Sequence, residues 1–257
     1  MNPALSFDGG TLSVALACTV AVLSGGVVKG ATGVGLPMIA VPLMLQVVSA
    51  PLAITLMAVP VLASNLLQLD DRDLLAGAVA RFWGLILALL AATVIGANAL
   101  VAASPRAMNI GLGLVTVAMA LMQMRRGAAE RRPVRHERLL SPLVGLVAGL
   151  LGGISSFSGP PLVAYLLRLN LSSHAFVVTI SLFYVCGAIP LYISLIASDA
   201  VGWPVLLGSL ALGAPAYGGL LIGQRLRQAL NERQFRRVIT GVLMISGLSL
   251  LVKSALF

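Results

Sequence analysis

Apolar segments long enough to cross a membrane follow one another along nearly the whole chain, separated by short polar loops. A helix of about 20 apolar residues crosses the hydrocarbon core of a bilayer. Leu, Ala, Val and Gly dominate these segments, and the strand-length alternation of a membrane barrel is absent. The pattern therefore predicts an all-α integral membrane protein. After a first apolar segment that starts at Thr11, simple spans are predicted at residues 52–69, 78–100, 107–124, 174–197, 203–223 and 238–252.

Two apolar segments are interrupted by glycine and proline. Residues 24–45 read SGGVVKGATGVGLPMIAVPLML, and residues 149–168 read GLLGGISSFSGPPLVAYLLR. Glycine and proline weaken helices, so both segments are predicted to be broken helices. Corresponding broken segments in the two halves of a membrane protein indicate a transport site. With a constant offset of 123 residues, Gly26 corresponds to Gly149, Gly30 to Gly153 and Pro37 to Pro160.

The chain divides into two repeats within one membrane transport domain that covers residues 1–257. A basic linker at residues 125–138 separates repeat 1, residues 10–124, from repeat 2, residues 139–257. The correspondence continues to Ile95-Gly96 and Ile222-Gly223, where the offset has grown to 127. A four-residue insertion explains that change.

The orientation of the repeats follows from the linker and a second basic segment at residues 224–237. Both are rich in arginine, so the positive-inside rule predicts that both are cytoplasmic. As one helix, residues 139–169 would rise about 46 Å, more than the roughly 30 Å of hydrocarbon. A helical hairpin bent at residues 152–161 fits the thickness of the membrane and keeps both basic segments on the cytoplasmic side. Each repeat is then a broken, re-entrant-like hairpin plus three transmembrane helices, and the odd count inverts the repeats and places both termini outside. Four simple spans in each repeat would instead place residues 224–237 outside.

Composition agrees with a membrane protein. Of 257 residues, 59% are hydrophobic and only 10% are charged, whereas soluble domains carry about 25% charged residues. The mean hydropathy is +1.02. Basic loops account for the net charge of +9, so the lipid bilayer is expected as a partner and nucleic acid is not. Cys18 and Cys186 lie far apart in apolar segments, which indicates neither a disulfide nor a zinc site. The first apolar segment lacks a basic region before it and is predicted to be retained.

The broken segments are candidates for an anion site. In each, a glycine-rich turn precedes a helix that starts with proline, where free N–H groups and the positive end of the helix dipole favour anions. Hydroxyl groups and one lysine lie in or near these turns. The alternative is that the glycines serve close helix packing and the hydroxyls bond helix carbonyls. The predicted substrate-binding residues are Lys29, Gly30, Thr32, Gly33, Gly35, Pro37, Asn65, Gly153, Ser155, Ser156, Ser158, Gly159, Pro160 and Tyr184.

Lys29 has two candidate roles. It could extend to the nearer surface, or it could be the counter-charge of a bound anion. Its counterpart in repeat 2 is Gly152, so the repeat does not require a lysine. Polar side chains on two corresponding spans could bind substrate or form interhelical hydrogen bonds. These are Ser64, Asn65 and Gln68 on one span, and Ser181, Tyr184 and Tyr192 on the other.

All eight acidic residues fall in predicted loops or near the N-terminus. Proton relays and cation sites within membranes usually use Asp or Glu, so a cation transporter or a carboxylate-based antiporter is disfavoured. The spans contain no acid beside a nucleophile, no clustered histidines and no paired cysteines. An enzyme, a metal site and a cofactor are therefore not expected.

The two broken segments and the two-half plan with a basic linker resemble the TauE/SafE family of sulfite exporters, over nearly the whole chain. The resemblance implies a carrier of sulfite or organosulfonates in the bacterial cytoplasmic (inner) membrane, with its site at residues 30–37 and 153–161. We therefore predict a secondary transporter that exports such an anion by alternating access. The alternatives are a channel-like anion conductor and an uptake carrier for another small anion. The oligomeric state stays open, with a homodimer as one candidate.

Overall fold

The computed structural model describes residues 9–33, 35–125, 137–198, 202, 204–226 and 232–256. Within these ranges the chain forms helices joined by short turns and contains no strand. The helices are α1 Gly9–Thr32, α2 Leu36–Met44, α3 Ala50–Leu56, α4 Ala58–Leu66, α5 Arg72–Ala102, α6 Pro105–Arg125, α7 Glu137–Ser155, α8 Gly159–Leu166, α9 Ser173–Ala197, α10 Val205–Leu226 and α11 Glu232–Leu256.

Six helices of the described ranges are long and apolar enough to cross a membrane, namely α1, α5, α6, α7, α9 and α10. Large apolar side chains are exposed on the outer faces of these helices, which suits contact with lipid rather than water. Examples are Leu16, Leu87, Leu143, Ile193 and Leu210. The prediction of an all-α multi-pass membrane protein is therefore confirmed.

Helix α1 packs along α10 in parallel orientation, and glycines line the crossing. A β-carbon added to Gly26 would collide with the Ala216 carbonyl oxygen, and one added to Gly219 would collide with the Leu23 carbonyl oxygen. One turn farther along, a β-carbon on Gly223 would meet the backbone of α1 as well. The two helix backbones approach this closely only because these positions lack side chains.

Helix α7 packs along α5 in the same manner, again in parallel orientation. A β-carbon added to Gly149 would meet the Leu89 carbonyl oxygen, and one added to Gly153 would meet the Thr93 carbonyl oxygen. Gly96 faces back toward α7, where an added β-carbon would lie 2.7 Å from the Leu150 carbonyl oxygen. The corresponding first helices of the two predicted repeats, α1 and α7, thus each pack on a late helix of the other repeat.

The last helices of the predicted repeats, α6 and α11, pack against each other in antiparallel orientation. A β-carbon on Gly113 would lie 2.9 Å from the Leu251 side chain, and one on Gly247 would lie 2.8 Å from the Val117 side chain. Residue numbers therefore increase along α6 in the direction in which they decrease along α11. Two equivalent helices that run in opposite directions are the arrangement that inverted repeats produce.

The starts of α5, α7 and α9 lie at one end of the molecule. Arg81 near the start of α5 donates to both carboxylate oxygens of Glu137 at the start of α7, at 2.6 and 2.8 Å. His174 at the start of α9 lies 3.7 Å from the carboxylates of Asp70 and Asp71, which precede α5. The chain between α7 and α9 therefore leaves this end and returns to it, as a hairpin requires. Most of the predicted linker, residues 126–136, lies outside the described residues.

The aromatic side chains of α5, α8 and α9 pack together close to this end. Phe82 has non-helical backbone angles that kink α5, and its ring contacts Tyr165 and Phe183 edge-to-face, at centroid distances of 6.3 and 5.5 Å. A larger apolar cluster surrounds α2, α3 and α4 and includes Phe157 from the turn between α7 and α8. The second broken segment thus contributes to the core around the first.

The first broken segment is interrupted later than predicted. Helix α1 continues through Gly25, Gly26 and Gly30 to Thr32, and α2 begins at Leu36. Glycine inside a helix costs about 1 kcal/mol relative to alanine, but here the close contacts with α10 and α2 compensate for it. Likewise α7 continues to Ser155, so its break comprises residues 156–158 rather than a stretch that begins at residue 152.

Three other predicted boundaries were wrong. The span at residues 52–69 is two short helices, α3 and α4, because Pro60 has no N–H for the carbonyl of Leu56 and its ring crowds that carbonyl. Helix α5 begins at Arg72 rather than at residue 78, because the Asp71 carboxylate accepts hydrogen bonds from the first-turn N–H groups. The predicted basic loop at residues 224–237 is partly helical, since α10 ends at Leu226 and α11 begins at Glu232.

Two neighbouring glycines of α10 test the close helix crossing. Gly219→Ala should lower the free energy of unfolding by about 1–3 kcal/mol, because its methyl group would collide with the α1 backbone. Gly218→Ala is the matched control. No atom lies within 4 Å of its added β-carbon, so helix propensity alone applies and stability should stay equal or rise by up to about 1 kcal/mol. Thermal unfolding of both purified variants in detergent measures the difference, and equal stabilities would contradict the crossing.

Candidate functional site

The helices that precede the two breaks end in the same way. Gly33 follows α1 with a φ of 82°, and its N–H donates to the Lys29 carbonyl at 2.7 Å. Ser156 follows α7 with a φ of 63°, and its N–H donates to the Gly152 carbonyl at 2.7 Å. Gly33 and Ser156 are 123 residues apart, which is the offset of the sequence repeat. Both helices thus end in the left-handed cap that commonly terminates helices.

Each break leads into a short helix that has a proline in its first turn. Gly35, with a φ of 98°, precedes α2, and Pro37 lies in the first turn. Ser158 precedes α8, whose first turn contains Pro160. In neither case does the side chain of the preceding residue cap the helix. The first-turn N–H groups and the positive end of each helix dipole are therefore directed at the break, as the sequence predicted.

Ser156 adopts a conformation that residues with a β-carbon seldom adopt. Holding such a residue in the left-handed region costs about 1–2 kcal/mol, and strain of this kind concentrates at functional sites. The Tyr192 hydroxyl, on α9, lies close to the Ser156 hydroxyl without completing a hydrogen bond of good geometry. Tyr192 is 4% exposed, so its hydroxyl is a buried polar group without a satisfied hydrogen bond.

Tyr184 covers the start of α8. A β-carbon added to Gly159, the first residue of α8, would lie 2.6 Å from the Tyr184 hydroxyl oxygen. Two tyrosines of α9 therefore reach the second broken segment. Only Tyr184 was predicted as a substrate-binding residue. Tyr192 was recognised as a polar residue of its span, but nothing in the sequence indicated that it approaches Ser156.

Lys29 is buried beside a neutral partner. Its side chain is 2% exposed, and Nζ donates to Asn65 Oδ1 at 2.6 Å. The Asn65 amide nitrogen in turn donates to the Val61 carbonyl at 2.7 Å, which orients its oxygen toward the lysine. Lys29 does not extend to the surface. In the described part of the chain the ion pairs involve Arg81 and His174 but not Lys29.

Among the described residues, one amide dipole, that of Asn65, is therefore the hydrogen-bond partner of the Lys29 ammonium. A buried ammonium costs several kcal/mol unless a negative group accompanies it. Such groups within membranes mark substrate or ion pathways. The burial contradicts the first of the two roles that the sequence left open, extension to the surface. The role of Lys29 as the counter-charge of a bound anion stays a prediction.

Side chains of α4 and of the turn that follows it contact both α1 and α9. Asn65 on α4 bonds to Lys29 of α1, while Gln68, one turn later, accepts a hydrogen bond from the Ser181 hydroxyl of α9 at 2.6 Å. The Gln68–Ser181 pair is the interhelical hydrogen bond that the sequence offered as an alternative for these residues. The Lys29–Asn65 pair joins two predicted substrate-binding residues.

Four predicted site residues have contacts that account for them without a ligand. Gly30 and Gly153 face the backbones of α10 and α5. Thr32 is exposed and donates to the Val28 carbonyl at 2.8 Å, and Ser155 is buried and donates to the Leu151 carbonyl at 2.6 Å. Their role in binding substrate stays a prediction.

The fold and these sites define a multi-pass helical membrane protein with two broken helical segments and a buried lysine on the first of them. A family model described as sulfite exporter TauE/SafE matches residues 17–250. The chain therefore belongs to the TauE/SafE sulfite exporter family, a family of membrane transporters, and the predicted family is confirmed. A search of curated proteins and a search of solved structures each returned no match.

The strained cap is testable by substitution at Ser156. Ser156→Gly should raise the free energy of unfolding by about 1 kcal/mol, because glycine adopts the left-handed conformation without the penalty. Ser156→Ala removes the hydroxyl but retains the penalty, so it should not show this gain. Thermal unfolding of the two variants in detergent compares them directly. A Ser156→Gly variant no more stable than Ser156→Ala would show that the left-handed cap carries no strain.

Proposed function

We propose that this protein is a secondary transporter that moves a small sulfur-containing anion, sulfite or an organosulfonate, by alternating access. The observation that carries the proposal is the burial of Lys29 with the amide of Asn65 as its one hydrogen-bond partner in the described part of the chain. A negatively charged substrate would supply the counter-charge that the described residues do not. Membership of the sulfite exporter family supplies the substrate class.

The helix packing supports the inverted repeats that alternating access uses. Helices α1 and α10 pair in parallel, α7 and α5 pair in parallel, and the equivalent helices α6 and α11 pair in antiparallel orientation. If each helix is replaced by its equivalent in the other predicted repeat, the same set of helix pairs results. Carriers with inverted repeats open to either side by moving one unit against the other around a fixed site. The close crossings let each hairpin move as a unit with its partner helix.

The burial of Lys29 supports a carrier over a channel. A continuously open anion pore would leave the lysine in contact with water, whereas here it is closed off. An anion therefore reaches Lys29 only after a rearrangement. The start of α2 and Thr32 would bind the anion from repeat 1, and the start of α8, with Ser156 and Ser158, from repeat 2. Saturable counterflow of labelled substrate would distinguish the carrier from a channel-like conductor.

We place the protein in the bacterial cytoplasmic membrane with both termini outside, and we propose export as its direction. An inside-negative membrane potential assists the exit of an anion by about 2.3 kcal/mol per charge at 100 mV. This driving force requires no carboxylate relay within the spans. The lipid bilayer is the expected environment, and a homodimer is compatible with the exposed apolar faces.

Anion binding to purified protein tests this function. Sulfite or methanesulfonate at about 100 times its dissociation constant should stabilise the wild-type protein by about 2.7 kcal/mol, seen as a rise in unfolding temperature. Lys29→Met should abolish that rise because it removes the charge that the anion would neutralise. Lys253→Met is the matched control, since it removes the other lysine, which is exposed on α11. A wild-type protein that responds to no anion, or an equal response in Lys29→Met, would contradict the proposal.

A further inference from the structure

We infer that the site at Lys29 selects anions that carry one negative charge over anions that carry two, and that the neutral amide of Asn65 keeps the charge of Lys29 available to the anion. The inference rests on the proposed function and names the charge of the substrate.

One fixed charge is present among the described residues that surround Lys29. Helices α2 and α4 contain no ionisable side chain. Helix α10, which packs along α1, contains Tyr217 and Arg225, and both side chains are exposed. Besides Lys29, the ionisable side chain of α1 is Cys18, three turns earlier. The charge that the described side chains of α1, α2, α4 and α10 offer to an anion bound at Lys29 is therefore that of a single ammonium.

A single ammonium suits a single negative charge. A monoanion bound there gives a site with no net charge, which is the state that a poorly hydrated interior favours. A dianion would leave one negative charge uncompensated away from water, and a neutral solute would leave the ammonium uncompensated. Helix dipoles at the starts of α2 and α8 carry about half a charge each, are present for either anion, and fall off within the first turn.

Asn65 keeps the ammonium available. Its amide nitrogen is held by the Val61 carbonyl, so its oxygen accepts from Lys29 and orients the lysine without neutralising it. Aspartate has nearly the same shape as asparagine but carries a negative charge. At position 65 it would pair with Lys29 and take the place of the substrate charge. The neutral amide therefore leaves the charge of Lys29 to the anion.

This inference narrows the substrate class. Sulfur oxyanions occur with one charge, as hydrogen sulfite and simple sulfonates, and with two charges, as sulfite dianion and sulfate. Sulfonates that also carry a carboxylate have two charges at neutral pH. We expect hydrogen sulfite and singly charged sulfonates to bind, with doubly charged relatives at least tenfold weaker, or about 1.4 kcal/mol.

Binding of ions with fixed charge tests the inference. Purified protein in detergent is titrated with methanesulfonate and with sulfate at constant ionic strength, and affinity is read by calorimetry and thermal shift. Methanesulfonate should bind at least tenfold more tightly. Sulfite is then titrated across neutral pH, where its second ionisation lies. Its affinity should fall with the hydrogen sulfite fraction, while methanesulfonate over the same range reports any titration of the protein itself.

Two variants complete the test. Asn65→Asp should remain folded and lose the response to both anions, because its carboxylate neutralises Lys29. Asn109→Asp is the matched control, since it makes the same chemical change on α6 outside the contacts of Lys29, and it should bind as the wild type does. If Asn65→Asp fails to fold, the ratio of methanesulfonate to sulfate affinity in the wild-type protein decides alone.

The outcomes separate the two proposals. Sulfate binding as tight as methanesulfonate binding would overturn charge selection but leave the anion carrier in place. Undiminished anion binding by Asn65→Asp would overturn the role of Asn65. A wild-type protein that binds neither ion, nor sulfite at any pH, would remove the proposed function and the inference together.

Discussion

Close contact between helix backbones is the constraint on which the other features of this structure depend. Gly26 and Gly219 let α1 approach α10, and Gly149 and Gly153 let α7 approach α5. These crossings hold α1 and α7 as continuous helices. Each of the two helices therefore ends only beyond its contact with the partner helix. The breaks therefore form at corresponding positions in the two repeats, with the same left-handed cap and the same proline-containing helix start.

The same constraint explains how a lysine can be buried in an apolar helix. Lys29 precedes Gly30, which faces the α10 backbone, while the lysine side chain reaches Asn65 on α4. The crossing fixes the rotation of α1 and so directs the lysine inward. A buried ammonium beside a neutral amide is unfavourable by itself, and the family to which the chain belongs moves anions. The burial of Lys29 and the substrate class of the family are both compatible with the proposed role of Lys29 as the counter-charge of an anion.

The repeats are similar in plan but unequal in chemistry. Repeat 1 contributes a charge and an amide, whereas the equivalent position of Lys29 in repeat 2 is Gly152, which packs on Ser158. Repeat 2 contributes the strained Ser156 and the tyrosines of α9. In the proposed site, repeat 1 would hold a small anion by charge and repeat 2 by hydroxyl groups.

The sequence by itself determined the membrane class, the family and the positions of most helices, because long apolar segments depend on local composition alone. It also predicted two repeats, from segments that correspond at an offset of 123 residues. It predicted Lys29, Asn65 and Tyr184 as site residues without showing which of them meet. The sequence predicted breaks that begin too early, because the contacts that stabilise α1 as a helix at its glycines come from α10. The approach of Tyr192 to Ser156 and the burial of Lys29 required the tertiary structure, because both depend on how distant helices are rotated against each other.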